Sequence, residues 1–233
     1  MGDSTRAAYD AVAYEYEKRL ADELDGKPLD RGLLAAFVEL AGDGVIADVG
    51  CGPGHVAGHL AGLGAQVVGV DLSPAMIEIA QRRHPAIAFH VGSMLALPAA
   101  DSAWAGAVLL YSIIHLAPEQ RARAYAELAR VIRPGGPVLL AFHVTDAEHA
   151  AGDVNPVREF LGQPVELTHY YLAPDDVAAG LAAAGFLEVA RLEREPNLGA
   201  VRAARTARPG ASASTNVEYP SRRCYLIARR GGD

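Results

Sequence analysis

Cysteine and lysine are scarce in this 233-residue chain: cysteine occurs only as Cys51 and Cys224, and lysine only as Lys18 and Lys27. Two cysteines, with no Cys/His cluster at ligand spacing, exclude a disulfide framework and a structural zinc site, and they fit a reducing cytoplasm. Long apolar runs are missing as well. Arg, Asp, Gly or Pro interrupts every stretch before the ~18 residues needed to span a bilayer, so the chain reads as soluble, without a membrane partner. Residues 1–10 lack the basic flank and apolar core of a secretory signal. Positive charge is short too: the formal net charge of −7 argues against a nucleic-acid partner held by bulk phosphate neutralisation. One end differs. Between Arg191 and Arg230 nine arginines face three glutamates, a basic segment that either steers an anionic ligand or forms a solvated surface.

What the chain has is globular. With 51% apolar and 21% charged residues it is long enough for one domain with an ordinary core. Apolar patches of strand length alternate with helical periods, the pattern of repeated βα units around a mostly parallel sheet with helices on both faces. Helices are expected over residues 4–24, 30–40 (capped by Asp30), 55–63, 74–83, 118–131 and 174–184. Strands are expected over residues 45–49, 66–70, 87–91, 105–111, 138–144, 186–192 and 223–229. Ser73-Pro74 reads as an N-cap followed by proline at the first helical position. The last two strands have no helix between them, which predicts an antiparallel hairpin at one end of a Rossmann-like seven-stranded α/β sheet. Residues 146–164 lack periodicity and read as an inserted loop or lid, and 196–220 as a mobile segment. The resulting plan for residues 1–233 is a single domain: N-terminal cap helices (1–42), a ligand-binding core (43–145), an insertion or substrate lid (146–173), and a C-terminal helix and hairpin (174–233).

The chemistry starts at Asp48-Val-Gly-Cys-Gly-Pro-Gly54, directly after the first strand and before a helix. Gly50, Gly52 and Gly54 allow a sharp turn and close approach of the backbone to a ligand. A Gly-x-Gly-x-x-Gly dinucleotide loop would need glycine where His55 stands, and a phosphate loop would need a lysine. Asp71 ends the second strand, where a carboxylate can accept both hydroxyls of a ribose. Loop and acid together point to an adenosine-type ligand at the carboxyl edge of the sheet.

On these residues the sequence resembles the class I S-adenosylmethionine-dependent methyltransferases of the small-molecule bacterial type. Asp48-x-Gly-x-Gly-x-Gly54 resembles their first motif and Asp71 their ribose-binding acid. Gly92-Ser-Met94 resembles the adenine region, with Ser93 where many members carry an acid, and residues 105–111 resemble the fourth-strand motif ending at Tyr111. Arg130-Val-Ile-Arg-Pro-Gly-Gly136 resembles the turn into the fifth strand, and Tyr9-Asp-x-x-Ala13-x-x-Tyr16 the cap helix. The resemblance implies S-adenosylmethionine as cofactor, S-adenosylhomocysteine as product and no metal. It implies a cofactor site made of Tyr16, Asp48, Gly50, Cys51, Gly52, Gly54, Asp71, Leu72, Met76, Ser93, Met94 and Tyr111, with Cys51 as a packing residue. His115 and His143, beyond strands four and five, are the candidate bases. Tyr14, Ser112, His169, Tyr170, Tyr171 and Tyr219 are the candidate substrate contacts, whereas Trp104 reads as core and His55, His59, His84, His90 and His149 as surface or helix positions. The implied activity is methyl transfer to an O, N or C atom of a small metabolite, natural products included, by a cytoplasmic monomer or homodimer. The alternative is a cofactor-binding protein that does non-methylating chemistry or senses the cofactor.

Overall fold

A computed structural model describes residues 2–196 and 219–232. The helices are α1 (Gly2–Leu20), α2 (Pro28–Ala41), α3 (His55–Gly62), α4 (Pro74–Arg83), α5 (Pro118–Val131) and α6 (Pro174–Ala183). The strands are β1 (Val45–Val49), β2 (Gln66–Asp71), β3 (Ala88–Val91), β4 (Gly106–Leu110), β5 (Pro137–Thr145), β6 (Val154–Phe160), β7 (Gln163–Tyr170), β8 (Phe186–Arg194) and β9 (Arg222–Arg230). Seven of them form one sheet in the order β3-β2-β1-β4-β5-β9-β8, parallel from β3 to β5 and antiparallel at β9 and β8. The expected sheet and its terminal antiparallel pair are present.

Helices cover both faces of this sheet, so its central strands are continuous apolar runs and not alternating ones. On one face Leu109, Leu140, Phe142 and Trp104 pack with Leu128 of α5 and Leu181 of α6. On the other, Val108, Leu139 and Ile227 meet Leu34 and Phe37 of α2. Phe37 and Phe142 are fully buried, and burial of a side chain of this size contributes about 1.5–3 kcal/mol. The strand order reverses between β1 and β4, which opens a crevice at their carboxyl ends.

Four local expectations need correction. Helix α1 ends at Leu20, and a short 3-10 turn, Glu23–Gly26, follows. Asp30 does not cap α2: the helix starts at Pro28, after Lys27, and Asp30 lies buried in its first turn as acceptor for the Tyr225 hydroxyl at 3.0 Å. Residues 146–164 are not a loop, because β6 and β7 pair as a two-stranded hairpin outside the main sheet. Its turn is Leu161-Gly162, both at positive φ (51° and 83°), the backbone of a primed two-residue turn usually signalled by Asn-Gly. His55 and His149 are not idle surface histidines, since they pair with Glu23 and Asp146 at 3.2 and 3.0 Å. Most of the segment expected to be mobile, 197–218, lies outside the described residues.

Hairpin and α1 hold one another. Ala8 and Val12 of α1 pack on Val165 and Leu167 of β7, with Phe160 and Leu161 at the edge of the cluster. Together the two elements roof the crevice.

Candidate active site

The floor of the crevice is the loop after β1. Gly50, Gly52 and Gly54 have φ of 78°, 52° and 80°, a region costly for residues with a Cβ. At Gly50 an added Cβ would also lie 2.3 Å from Cβ of Ser112, so only glycine lets the loop rest against the end of β4. The Gly50 and Cys51 amides donate to the Val70 carbonyl at 2.7 and 3.1 Å, which locks the loop to β2. Asp48, 2% exposed, accepts the Ala57 amide at 2.9 Å in the first turn of α3, and burial pushes its carboxyl up to about 7. The two oxygens of Asp71 accept the amides of Gly52 and Ser73, each at 2.8 Å. Burial raises its pKa as well. A carboxylate has about four acceptor positions, so Asp71 can hold both amides and still accept a diol.

Above this floor is a cavity of about 560 Å³. Its roof is aromatic: Tyr9, Tyr16 and Phe160 meet edge to face, with centroids 6.2–6.3 Å apart. Tyr9 also joins the roof to the wall, its hydroxyl 2.7 Å from Nε2 of His115. Nδ1 of His115 lies 3.0 Å from the Thr168 carbonyl oxygen. A carbonyl only accepts, so Nδ1 carries the proton and Nε2 accepts from Tyr9. Burial, aided by His169, lowers His115 to about 3. The His169 ring is 4.8 Å from that of His115, its Nε2 is buried without a hydrogen-bond partner, and burial lowers it to about 4. His143 places Nδ1 2.5 Å from the Ser221 hydroxyl and its ring 5.0 Å from Tyr111. Burial and then Arg223 keep it neutral.

The cavity holds most of the residues expected there: Tyr16, Gly50, Gly52, Asp71, Leu72, Met76, Ser93, Met94, Tyr111, Ser112, His115, His143, His169 and Tyr219 all line it. Asp48 and Cys51 line a small recess beside it, and Cys51 packs with Ala57, Ile77 and Phe89. Burial raises the Cys51 thiol far above its usual range, so it is a packing residue and not a nucleophile. Gly54 lies beneath the loop against Phe89.

Three expected substrate residues point elsewhere. Tyr14 is 72% exposed, because five residues along a helix turn it about 140° away from Tyr9. Tyr171 is buried, donates to Asp146 at 2.5 Å and stacks on His149 at 4.7 Å. Tyr170 lies under the Arg121 guanidinium, 5.4 Å from its centroid. Successive residues of an extended chain face opposite sides, so with His169 toward the cavity Tyr170 is turned out.

Sequence reasoning missed the buried charges. Glu23 and Lys27 pair at 2.6 Å on the cavity wall, and His55 adds a contact to Glu23 at 3.2 Å. Burial pushes the Glu23 carboxyl up, but Lys27 and His55 together outweigh it and hold the group at about 2. Arg223 is 2% exposed and donates to the Tyr111 hydroxyl at 3.1 Å. Tyr111 and Tyr225 hydroxyls are 3.1 Å apart, and Tyr225 donates to Asp30, so hydrogen bonds run from Arg223 through Tyr111 and Tyr225 to Asp30 as the final acceptor. Tyr111 has φ of 57°, a strained conformation for an aromatic residue that these contacts overdetermine. The scarcity of lysine was one usable signal for Lys27. Arg223 was hidden within an arginine-rich strand.

Residues 46–136, which include the glycine loop, Asp71 and Tyr111, match the family model described as "Methyltransferase domain". Over those residues the chain is similar to a methyltransferase domain. An O-methyltransferase of Penicillium expansum is 35% identical to it over 108 residues, 43% of this chain and 38% of that protein. The chain spans 37% to 58% of the length of several curated relatives it matches. Among solved structures, a Burkholderia thailandensis 1,6-didemethyltoxoflavin-N1-methyltransferase with bound S-adenosylhomocysteine aligns with a TM-score of 0.69. It is 19% identical, and the alignment covers 99% of this chain and 88% of that one. The [4+2]-cyclase SpnF aligns with a TM-score of 0.73 and 20% identity, over 100% and 98% of the two chains. At these identities the likeness is one of fold. Among the described residues no group of three or more His, Cys, Asp or Glu forms a metal cluster, and no helix is long and apolar enough to cross a membrane.

Proposed function

We propose that the protein transfers a methyl group from S-adenosylmethionine to an O, N or C atom of a small metabolite. The observation that carries this reading is the junction of two features: Asp71 and the Gly50-Cys51-Gly52 turn form an adenosine-sized cradle, and that cradle opens into one roofed cavity lined by Tyr111, His115 and His143. The cradle fits the cofactor by its chemistry, with a buried carboxylate for a diol and, at Gly50, a turn that leaves no room for a Cβ against Ser112.

When bound, S-adenosylmethionine supplies a methyl group already activated by sulfonium charge, so the protein's task is alignment and exclusion of water. Tyr9, Tyr16 and Phe160 exclude solvent from above. Helix α1 and residues 154–170 act together as the lid. His115 is a positioning residue, because both ring nitrogens are engaged and its proton on Nδ1 is fixed by Thr168. His143 and His169, both neutral and cavity-facing, are the imidazoles left to receive a proton from an acceptor that needs to lose one, and of the two His143 was expected as a base. We assign the protein to small-molecule metabolism, with no nucleic-acid partner, on its net charge and its roofed cavity.

A second reading keeps the cofactor but not the transfer, and it is favoured by the likeness to a cyclase across the whole chain. One experiment separates them. Calorimetry with S-adenosylhomocysteine is followed by incubation with methyl-labelled S-adenosylmethionine and a metabolite extract. Binding, label in a small molecule and stoichiometric S-adenosylhomocysteine support methyl transfer. Binding with substrate conversion but no S-adenosylhomocysteine supports the second reading, and absence of binding overturns both.

A further inference from the structure

Among the described residues, the imidazoles that line the cavity are His115, His143 and His169, and they differ in what already occupies their nitrogens. His115 uses both, toward Tyr9 and Thr168. His143 uses Nδ1, toward Ser221. His169 uses neither among the described residues, and its Nε2 is shut away from water as well. A buried polar atom without a partner weakens the fold that contains it, so the reason for this imidazole lies outside the fold.

Its position supplies that reason. His169 stands on β7 opposite Asn155 of β6 and directly follows Thr168, whose carbonyl braces His115. The His169 and His115 rings are 4.8 Å apart and tilted by 53°. His169 is thus the imidazole that the lid itself carries into the cavity, whereas His115 follows β4 and His143 lies within β5. Turning the His115 ring over would break two hydrogen bonds. Turning His169 about its Cβ–Cγ bond breaks none and exchanges the nitrogen and carbon edges of the ring, so a nitrogen can meet a ligand with no loss inside the protein.

The chemistry of the ligand follows from charge and surroundings. Burial lowers His169 to about 4 with no neighbouring carboxylate to oppose it, so near neutral pH the ring has one N–H donor and one bare acceptor. An uncharged hydroxyl suits that ring in either tautomer, because it both donates and accepts. A carboxylate can use only the donor and an ammonium only the acceptor, and each would bring a charge against apolar walls. Ile114 and Leu116, on either side of His115, and Phe160 and Leu161, at the turn of the hairpin, are such walls.

We infer that His169 is a specificity-determining residue that hydrogen-bonds a hydroxyl of the acceptor, so that the substrate is an uncharged, largely apolar alcohol or phenol. This rests on the methyl-transfer reading and narrows it to a substrate class. Because the ring belongs to the hairpin, the same bond draws the lid onto the bound molecule.

The test uses the full chain, with and without saturating S-adenosylhomocysteine, and three probes that differ by one group on one ring: phenol, anisole and toluene, with benzoate and benzylamine as charged controls. Ligand-observed NMR and calorimetry give the affinities. Phenol is expected to bind about fivefold or more tightly than toluene and anisole, the scale of one hydrogen bond, and more tightly than either charged control. His169→Phe keeps a ring and removes both nitrogens: phenol falls to the level of toluene, while toluene and S-adenosylhomocysteine affinities stay within about twofold, well under the effect of one hydrogen bond. The melting temperature of His169→Phe does not fall, since the unpartnered nitrogen is gone. His169→Asn keeps a donor and an acceptor and retains a preference for phenol, a contrast that a merely structural ring would not produce. Equal binding of phenol and toluene, tighter binding of a charged control, absence of any probe binding, a phenol preference that survives in His169→Phe, or one lost as fully in His169→Asn overturns the assignment. So does a melting temperature more than about 4 °C lower in His169→Phe, which would make the ring a brace. If His169→Phe does not fold, His169→Leu takes its place with the same expectations for phenol and toluene. Failure of S-adenosylhomocysteine to bind counts against the methyl-transfer reading, and the phenol–toluene comparison without it still decides the subsite.

Discussion

The Tyr9 hydroxyl donates to Nε2 of His115 over 2.7 Å, and this one bond ties the N-terminal helix to the loop beyond β4, far away in sequence. It also fixes what the histidine can do: its second nitrogen is spent on Thr168, so the ring is a brace between the roof and the hairpin.

Removing the donor tests the brace. Tyr9→Phe keeps the aromatic roof but leaves Nε2 buried without a partner, which costs about 1–3 kcal/mol. Urea denaturation is expected to show that loss. A change under about 0.5 kcal/mol would mean that water or another donor replaces the hydroxyl.

The same histidine predicts a pH dependence. His115 is lowered to about 3 in the folded protein against 6.5 in the unfolded chain. Its neutral form therefore stabilises fully above pH 6.5, and that contribution is lost as pH falls from 6.5 toward 3, on the order of 1 kcal/mol per pH unit. Asp48, raised to about 7 from 3.8, works in the opposite direction over that range, its folded form being favoured as pH falls. The comparison must therefore be between variants. Stability measured at pH 7.5, 6 and 5 is expected to fall less steeply in His115→Gln than in the wild type. Parallel slopes would show that His115 already titrates normally.

Asp71→Asn addresses the cofactor cradle. One amide oxygen can replace one acceptor, but the NH₂ group opposes a backbone amide, and the charge-assisted bonds to a ribose are gone. S-adenosylhomocysteine affinity is expected to drop by about 1.5–3 kcal/mol, or roughly 10- to 100-fold. Unchanged calorimetric affinity in a folded variant removes Asp71 from the site.

Gly50→Ala tests the close approach of loop and β4. Its Cβ would meet Ser112 Cβ at 2.3 Å and the residue would sit at φ of 78°. We expect cofactor binding to be lost and the melting temperature to fall. Ser112→Gly added to Gly50→Ala relieves the contact but not the backbone strain of about 1–2 kcal/mol, so the double variant should recover part of the stability. No recovery would mean that strain, and not contact, dominates.

Much of the main sheet was readable because both causes of its pattern are local: buried strands read as apolar runs, and Gly or Pro punctuates the helices. Ser73-Pro74 is an example, since the Ser73 hydroxyl does accept the Met76 amide at 3.1 Å. The β6–β7 hairpin was not readable. Its turn uses leucine at φ of 51° where sequence rules look for Asn or Asp, and Pro156 and Pro164 suggest irregular chain although a two-stranded edge tolerates them. In the site, the glycine loop and Asp71 follow and end two successive strands, β1 and β2, and were visible. Arg223 was not, because its burial depends on pairing with β5 and on the Tyr111 ring, both remote in sequence.

The divided roof has a consequence for how the molecule assembles. Ala13 of α1 packs on Met76 and Ile79 of α4, but Ala8 and Val12 find their buried partners, Val165 and Leu167, only in β7, far along the chain. That face of α1 is thus closed only across a long loop, which carries an entropic cost the sheet does not share. The sheet can reach its native pairing while the cavity is still open to water, so refolding followed by an aromatic signal from Tyr9 or Tyr16 should lag behind backbone formation.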